Sequence, residues 1–218
     1  EAGLGKGKLS EKQIRNYGVS EESKLEESLN RLGMTYSDID AILMTHMHFD
    51  HACGLTGYQE GELISLFPEA TIYTSKIEWE ELQNPNIRSR NTYWEENWKP
   101  IVTQVETFEG EVLITEGLRM IHTGGHSNGH SIIMLEDNNQ QLIHMGDLMP
   151  THAHQNPLWV LAYDDYPMDS IHAKEKWIKQ GIENKAWFTF YHDYAYRAIK
   201  WDADGKGIIE KVERNRPE

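Results

Sequence analysis

The segment THMHFDHACG, residues 45–54, follows the apolar run AILM and packs three histidines and one aspartate into six positions. A short apolar run reads as a buried strand, and ligands in α/β sheets gather just beyond the carboxyl ends of strands. In an extended segment, residues two apart point the same way, so His46, His48 and Asp50 are predicted to converge while His51 faces a neighbouring point. One segment then serves two metal positions. Neutral imidazoles and carboxylates suit Zn²⁺, with Mn, Fe and Co also compatible, and a zinc ion takes about four ligands. The segment alone supplies too few.

Other strand ends hold the right residue types. TGGHSNGH carries His126 and His130 in a glycine-rich turn after an apolar strand, where small residues let backbones approach closely. Asp147 ends another strand in HMGDLMP, and His192 ends a third in FYHDY. A lone histidine beside an apolar strand is usually a hydrogen-bonded core or surface residue, and His122, His144, His152 and His154 are read that way. His130 is read as orienting a ligand rather than acting as one.

The rest of the chain sets a mixed α/β or α+β frame. Ser10 with Gln13 forms a capping-box pattern, and Leu25, Leu29 and Leu32 fall at helical spacing before Gly33. Strands are predicted at ATIYTS, EVLIT, LRMIHT, SIIMLE and QLIHMG, with EDNNQQ turning the last pair into a hairpin. Helices are predicted at 75–83, opened by Ser75 with Glu78, and at 168–181. AWFTFY reads as a buried strand, and 198–212 as a hairpin around DADGKG. That turn resembles a calcium loop only superficially. With Gly205 at the sixth position, Lys200 and Lys211 occupy the first and twelfth, where carboxylates are required.

Composition narrows the partners. The 218 residues include 35 acidic and 21 basic side chains, and the formal charge of −14 disfavours nucleic acid, whose binding needs Lys and Arg. No repeat or linker divides the chain, so residues 1–218 are expected to form a single domain. The single cysteine, Cys53, excludes an internal disulfide framework and points to the cytoplasm; it reads as a small packed residue. Neither a membrane span nor a secretory leader is legible. Oligomeric state is left open.

In order and spacing, THMHFDH, GGHSNGH, GDLMP and FYHD resemble the metallo-β-lactamase-fold hydrolases from about residue 41 onward. The run DLMPTHAHQNPLWVLAYDDYPMDS is similar to a branch of quorum-quenching lactonases related to N-acyl-homoserine lactonases and methyl parathion hydrolases. The resemblance implies an αββα sandwich with two divalent metal ions, Zn²⁺ foremost. It assigns His46, His48 and His126 to the first metal and Asp50, His51 and His192 to the second, with Asp147 bridging. It also implies hydrolysis by a metal-bridging hydroxide, with Asp147 and Asp50 catalytic and Asp50 relaying a proton to the leaving group. The small-molecule substrate is expected to be an N-acyl homoserine lactone or related lactone.

Two departures stand out. Homoserine lactonases carry a tyrosine three residues after the bridging aspartate, and Pro150 stands there, leaving His152, Tyr163 and Tyr194 as substitutes. The EAG at residues 1–3 resembles an element that usually follows N-terminal strands, so a preceding strand layer is expected to be missing. Trp159, Tyr163 and Tyr166, or Tyr93, Trp94 and Trp98, are candidates to wall an apolar pocket, or simply fill cores. Phosphotriester or aryl-ester hydrolysis is the alternative activity. A cysteine-ligand β-lactamase is disfavoured because Cys53 lies inside the first motif. A flavodiiron-like redox protein is disfavoured because His48 stands where such proteins place glutamate. A non-catalytic scaffold is disfavoured by the presence of all seven candidate ligand residues.

Overall fold

Two asparagines turn the longest hairpin. Strands β8 (Ser131–Asp137) and β9 (Gln140–His144) pair antiparallel with Asp137 opposite Gln140. Asn138 and Asn139 take φ 47° and 63°, the left-handed pair that a two-residue hairpin turn demands. The computed structural model describes residues 1–214, and in it the chain divides into two compact units.

The first unit comprises residues 1–74 and 79–107. Helix α1 (Glu11–Tyr17) opens on the Ser10–Gln13 capping box and closes on Gly18. Helix α2 (Leu25–Arg31) forms as predicted, but it buries no residue fully, and Leu32 is 75% exposed. Its apolar spacing makes a helix without a deep face. Strand β1 (Ala41–Leu43) is short, a bend follows at Thr45, and His48 is extended. There the extended reading of the histidine segment needs correction: Phe49–Ala52 form a helical turn, α3, so Asp50 and His51 sit one helical step apart rather than on opposite strand faces.

A hairpin of β2 (Thr56–Gln59) and β3 (Glu62–Ser65) follows, which its weakly alternating sequence had not announced. Strand β4 (Thr71–Ser75) pairs parallel with β1, Ile42 opposite Ile72. Helix α4 (Lys76–Gln83), the short α5 (Glu95–Trp98) and β5 (Val105–Phe108) complete the region, and the sheet runs β1-β4-β5. Met44, Met47, Leu55, Ile72 and Ile101 are the centre of this unit's core.

The second unit comprises residues 75–78 and the described residues from 108 on. Strands β6 (Glu111–Thr115), β7 (Leu118–His122), β8, β9, β10 (Trp187–Thr189), β11 (Tyr196–Trp201) and β12 (Ile208–Glu213) form one seven-stranded sheet in the order β12-β11-β10-β9-β8-β7-β6. The β9–β10 pair is parallel, joined through helix α6 (Pro167–Glu183). The turn between β11 and β12 is held by the Asp202 carboxylate, which accepts the Lys206 and Gly207 amides at 2.9 Å. Ile132, Met134, Ile143, Trp177, Phe188 and Ile199 lie in its core. A Cβ on Gly181 would fall 2.3 Å from the Phe188 ring, so glycine is what lets α6 lie against the sheet.

Candidate metal centre

In the first unit, the order of the strand end fixes two imidazoles at once. Thr45 Oγ1 donates to Glu1 Oε1, so its one proton is used and it must accept from His46 Nδ1 at 3.0 Å. Glu1 Oε2 pairs with His51 Nδ1. Both rings therefore carry hydrogen on Nδ1 and the basic lone pair on Nε2, the tautomer of a histidine ligand held from behind. The His46 ring centre lies 4.6 Å from that of His48 and 4.1 Å from that of His51. His51 Nε2 lies 3.5 Å from Asp50 Oδ2. Tyr93 flanks His48 with ring centres 5.0 Å apart. Phe49, stacked between Trp94 and Tyr17 with its amide donating to Thr92 O, anchors the turn that aims Asp50 and His51.

The second unit repeats this logic with other residues. His126 Nδ1 donates to Asp164 Oδ1 at 2.9 Å, both residues being buried. Its Nε2 lies 3.5 Å from Asp147 Oδ2, while His192 Nε2 lies 3.4 Å from Asp147 Oδ1. Asp147 is thus flanked on both oxygens by imidazole nitrogens. A lone pair on His126 Nε2 and a carboxylate oxygen are both acceptors, and either a proton on that nitrogen or a metal ion between the two satisfies them. This donor chemistry fits a divalent metal.

Glycines make the placement of His126 possible. Gly125 has φ 105°, and a Cβ there would meet Leu148 and Ser170 at 2.7 Å. A Cβ on Gly129 would lie 2.1 Å from the Glu78 amide nitrogen, so only glycine lets the turn close on the start of α4. Ser75 Oγ accepts the Glu78 N–H at 3.0 Å and donates to Gly129 O, and Ser127 Oγ donates to Glu78 Oε2 at 2.6 Å. His130 accepts the Asp147 amide on Nε2 at 3.2 Å, so it orders the aspartate's backbone.

The remaining histidines have local partners. His122 Nε2 meets Asn128 O at 2.8 Å, His144 Nδ1 meets Thr189 Oγ1 at 3.0 Å and His154 Nδ1 meets Thr151 Oγ1 at 2.8 Å. His152 pairs with Asp193, next to His192. Burial pushes the Asp193 carboxyl up, but hydrogen bonds from His152, Tyr196 and Ala195 outweigh it and hold the group below its ordinary value. Cys53 is fully buried, and burial raises its thiol to about 11, so it stays protonated and inert. Lys8 donates to Cys53 O at 2.6 Å and to Asn97 Oδ1 at 2.9 Å, bracing the same turn. Thr45, Asp164 and the carboxylate of Glu1 were not nominated from sequence. Asp164 lies 38 residues from His126, and no spacing rule links the two.

Residues 18–184 match the family described as the metallo-beta-lactamase superfamily. The chain belongs to that superfamily. A probable metal-dependent hydrolase from Staphylococcus aureus is 48% identical in sequence, with a TM-score of 0.95 over 100% of this chain and 78% of its own. A dizinc quorum-quenching lactonase shares the metallo-beta-lactamase fold at 19% identity, with a TM-score of 0.77 over 100% of this chain and 75% of its own. The N-acyl homoserine lactonase of Bacillus thuringiensis is 28% identical over 134 residues, 62% of this chain and 47% of that protein. The chain therefore spans about half the length of the curated lactonases it matches. This superfamily member has mixed α/β architecture and groups of His and Asp side chains that could hold metal ions. No helix among its described residues is long and apolar enough to cross a membrane.

Proposed function

We propose that His46, His48, Asp50, His51, His126, Asp147 and His192 together hold two divalent ions, Zn²⁺ foremost, and that the protein opens N-acyl homoserine lactones or related lactones. The observation that carries this reading is Asp147, with an imidazole nitrogen facing each of its carboxylate oxygens. Similarity to the lactonases of Bacillus thuringiensis supports the substrate class. Two bound ions would supply Lewis acidity, making a water nucleophilic near neutral pH and stabilising the oxyanion that develops on the substrate carbonyl.

The chain's own groups do the rest. Glu1, Thr45 and Asp164 hold the ligand imidazoles in one tautomer and one orientation. Asp50 is the carboxylate assigned to relay a proton to the departing alkoxide. His130 fixes the backbone of Asp147. The buried thiol of Cys53 takes no part, and its lone occurrence supports a reducing, cytoplasmic setting.

A second reading, hydrolysis of phosphotriesters or aryl esters, is favoured by one observation. Pro150 occupies the place of the lactonase tyrosine, and its carbonyl is engaged by the His192 amide at 3.1 Å. An aryl oxide leaves without the proton that an alkoxide needs. The deciding assay compares hexanoyl- and decanoyl-homoserine lactone with paraoxon-type esters, using zinc-loaded wild type and Asp147→Ala. Lactone opening that falls at least about a hundredfold in the variant supports the first reading. Faster turnover of the phosphotriester than of either lactone moves the assignment to the second.

A further inference from the structure

Lys174 is fully buried, which is unusual for a lysine. It projects from α6, and its ammonium donates to Asn156 O at 2.9 Å and Trp159 O at 2.8 Å. Burial pulls its pKa down to about 8, against the attraction of Asp164. An ammonium is costly to bury and is tolerated only with its hydrogens used. Here two of its three are used on the backbone of a single loop turn, closed by the Trp159 amide on Asn156 O at 3.0 Å.

The other end of that loop is pinned to a metal-ligand candidate. The amides of Asp165 and Tyr166 donate to His126 O and Gly125 O at 3.1 and 2.9 Å, and Asp164 holds the His126 ring. The turn between is itself braced, with Leu161 N donating to Asp164 Oδ2 at 3.2 Å. Yet this fastened loop presents large apolar side chains to solvent: Leu158 is 69%, Trp159 59% and Tyr163 61% exposed. Tyr163 stands edge-on to the His126 imidazole, ring centres 5.8 Å apart at 83°. Apolar groups held rigidly in water beside a reactive centre suit a binding wall, because their ordering is already complete before a ligand arrives.

We propose that Tyr163 is a specificity-determining residue that packs against the acyl chain of the substrate, and that Lys174 is the positioning residue that holds its loop in place. The proposal rests on the hydrolase reading above and adds the part of the substrate this loop recognises. An apolar chain a few bonds from a carbonyl held beside His126 would lie within reach of the Tyr163 ring.

The test compares zinc-loaded wild type, Tyr163→Ala and Lys174→Met on butanoyl- and decanoyl-homoserine lactone. In both variants KM for the decanoyl substrate is expected to rise about tenfold and for the butanoyl substrate far less, with kcat changing less than KM. Equal changes on the two chain lengths would overturn the specificity role. Hydrogen exchange of the 157–164 backbone, read without substrate, is expected to be about tenfold faster in Lys174→Met; unchanged exchange overturns the positioning role. If Lys174→Met does not fold, Lys174→Arg keeps the charge and displaces the loop, and it is expected to shift the chain-length ratio in the same direction. If wild type opens neither lactone, the lactonase reading falls, and the same chain-length comparison on p-nitrophenyl butanoate and decanoate judges the loop.

Discussion

Asp164 shows how much a candidate ligand depends on the residue that holds it from behind. Its carboxylate takes the Nδ1 hydrogen of His126 at 2.9 Å and so decides which nitrogen faces Asp147. Asparagine at 164 can present either an oxygen or an NH₂ to that nitrogen and carries no charge to raise the basicity of the ring. Asp164→Asn is therefore expected to weaken zinc binding about 10- to 100-fold, measured by competition with a chromophoric chelator. Unchanged affinity would mean that His126 is oriented by the Gly125–Gly129 turn alone. The candidate ligands could be nominated from sequence because they crowd strand ends: His46, His48, Asp50 and His51 in one motif, Asp147 and His192 after apolar runs. Asp164, Thr45 and Lys174 were not, because a hydrogen bond across 38 residues or a lysine buried in a helix leaves no periodic trace.

The elements were legible where local chemistry and tertiary packing agree. The Ser10–Gln13 box, the Asn138–Asn139 turn and the Asp202 turn each satisfy their own backbone groups, so the sequence announces them without help from distant residues. The β2–β3 hairpin, β5 and the α3 turn carry no such signature, and in α3 the backbone leaves the extended state at His48 despite the alternating His-x-His-x-Asp pattern. Two-residue alternation suggests a half-buried strand but does not force one when the residues that alternate are all polar. Gly129 marks the point where an element depends on a contact the sequence only hints at. Its Cα abuts the first turn of α4 so closely that an added Cβ would sit 2.1 Å from the Glu78 nitrogen and 2.3 Å from its Cα. Neither backbone atom can yield as a flexible side chain would. Gly129→Ala is accordingly expected to cost about 1–3 kcal/mol in urea unfolding, through separation of the turn from α4 and loss of the Ser75–Gly129 hydrogen bond. A change within a few tenths would show that α4 moves aside freely.

At the scale of the whole molecule, the formal charge of −14 and the clustered ligand carboxylates work against compaction, because like charges repel across the fold. Divalent cations held at the proposed centre would act on both terms, neutralising carboxylates and binding the folded chain in preference to the unfolded one, in which His126 and Asp147 have no fixed relation. By mass action, a ligand present at one hundred times its dissociation constant stabilises the folded state by about 2.7 kcal/mol. Zinc-loaded protein is therefore expected to unfold at distinctly higher urea concentration than the same protein held in chelator, with most of that increment absent in Asp147→Ala. The comparison separates folding from ligation, because the two proteins in chelator differ only in the aspartate side chain. If they unfold together in chelator and apart in zinc, Asp147 contributes through the metal. If Asp147→Ala is already destabilised in chelator by as much as zinc stabilises the wild type, the aspartate acts through its own hydrogen bonds, and the proposed bridge loses its thermodynamic support.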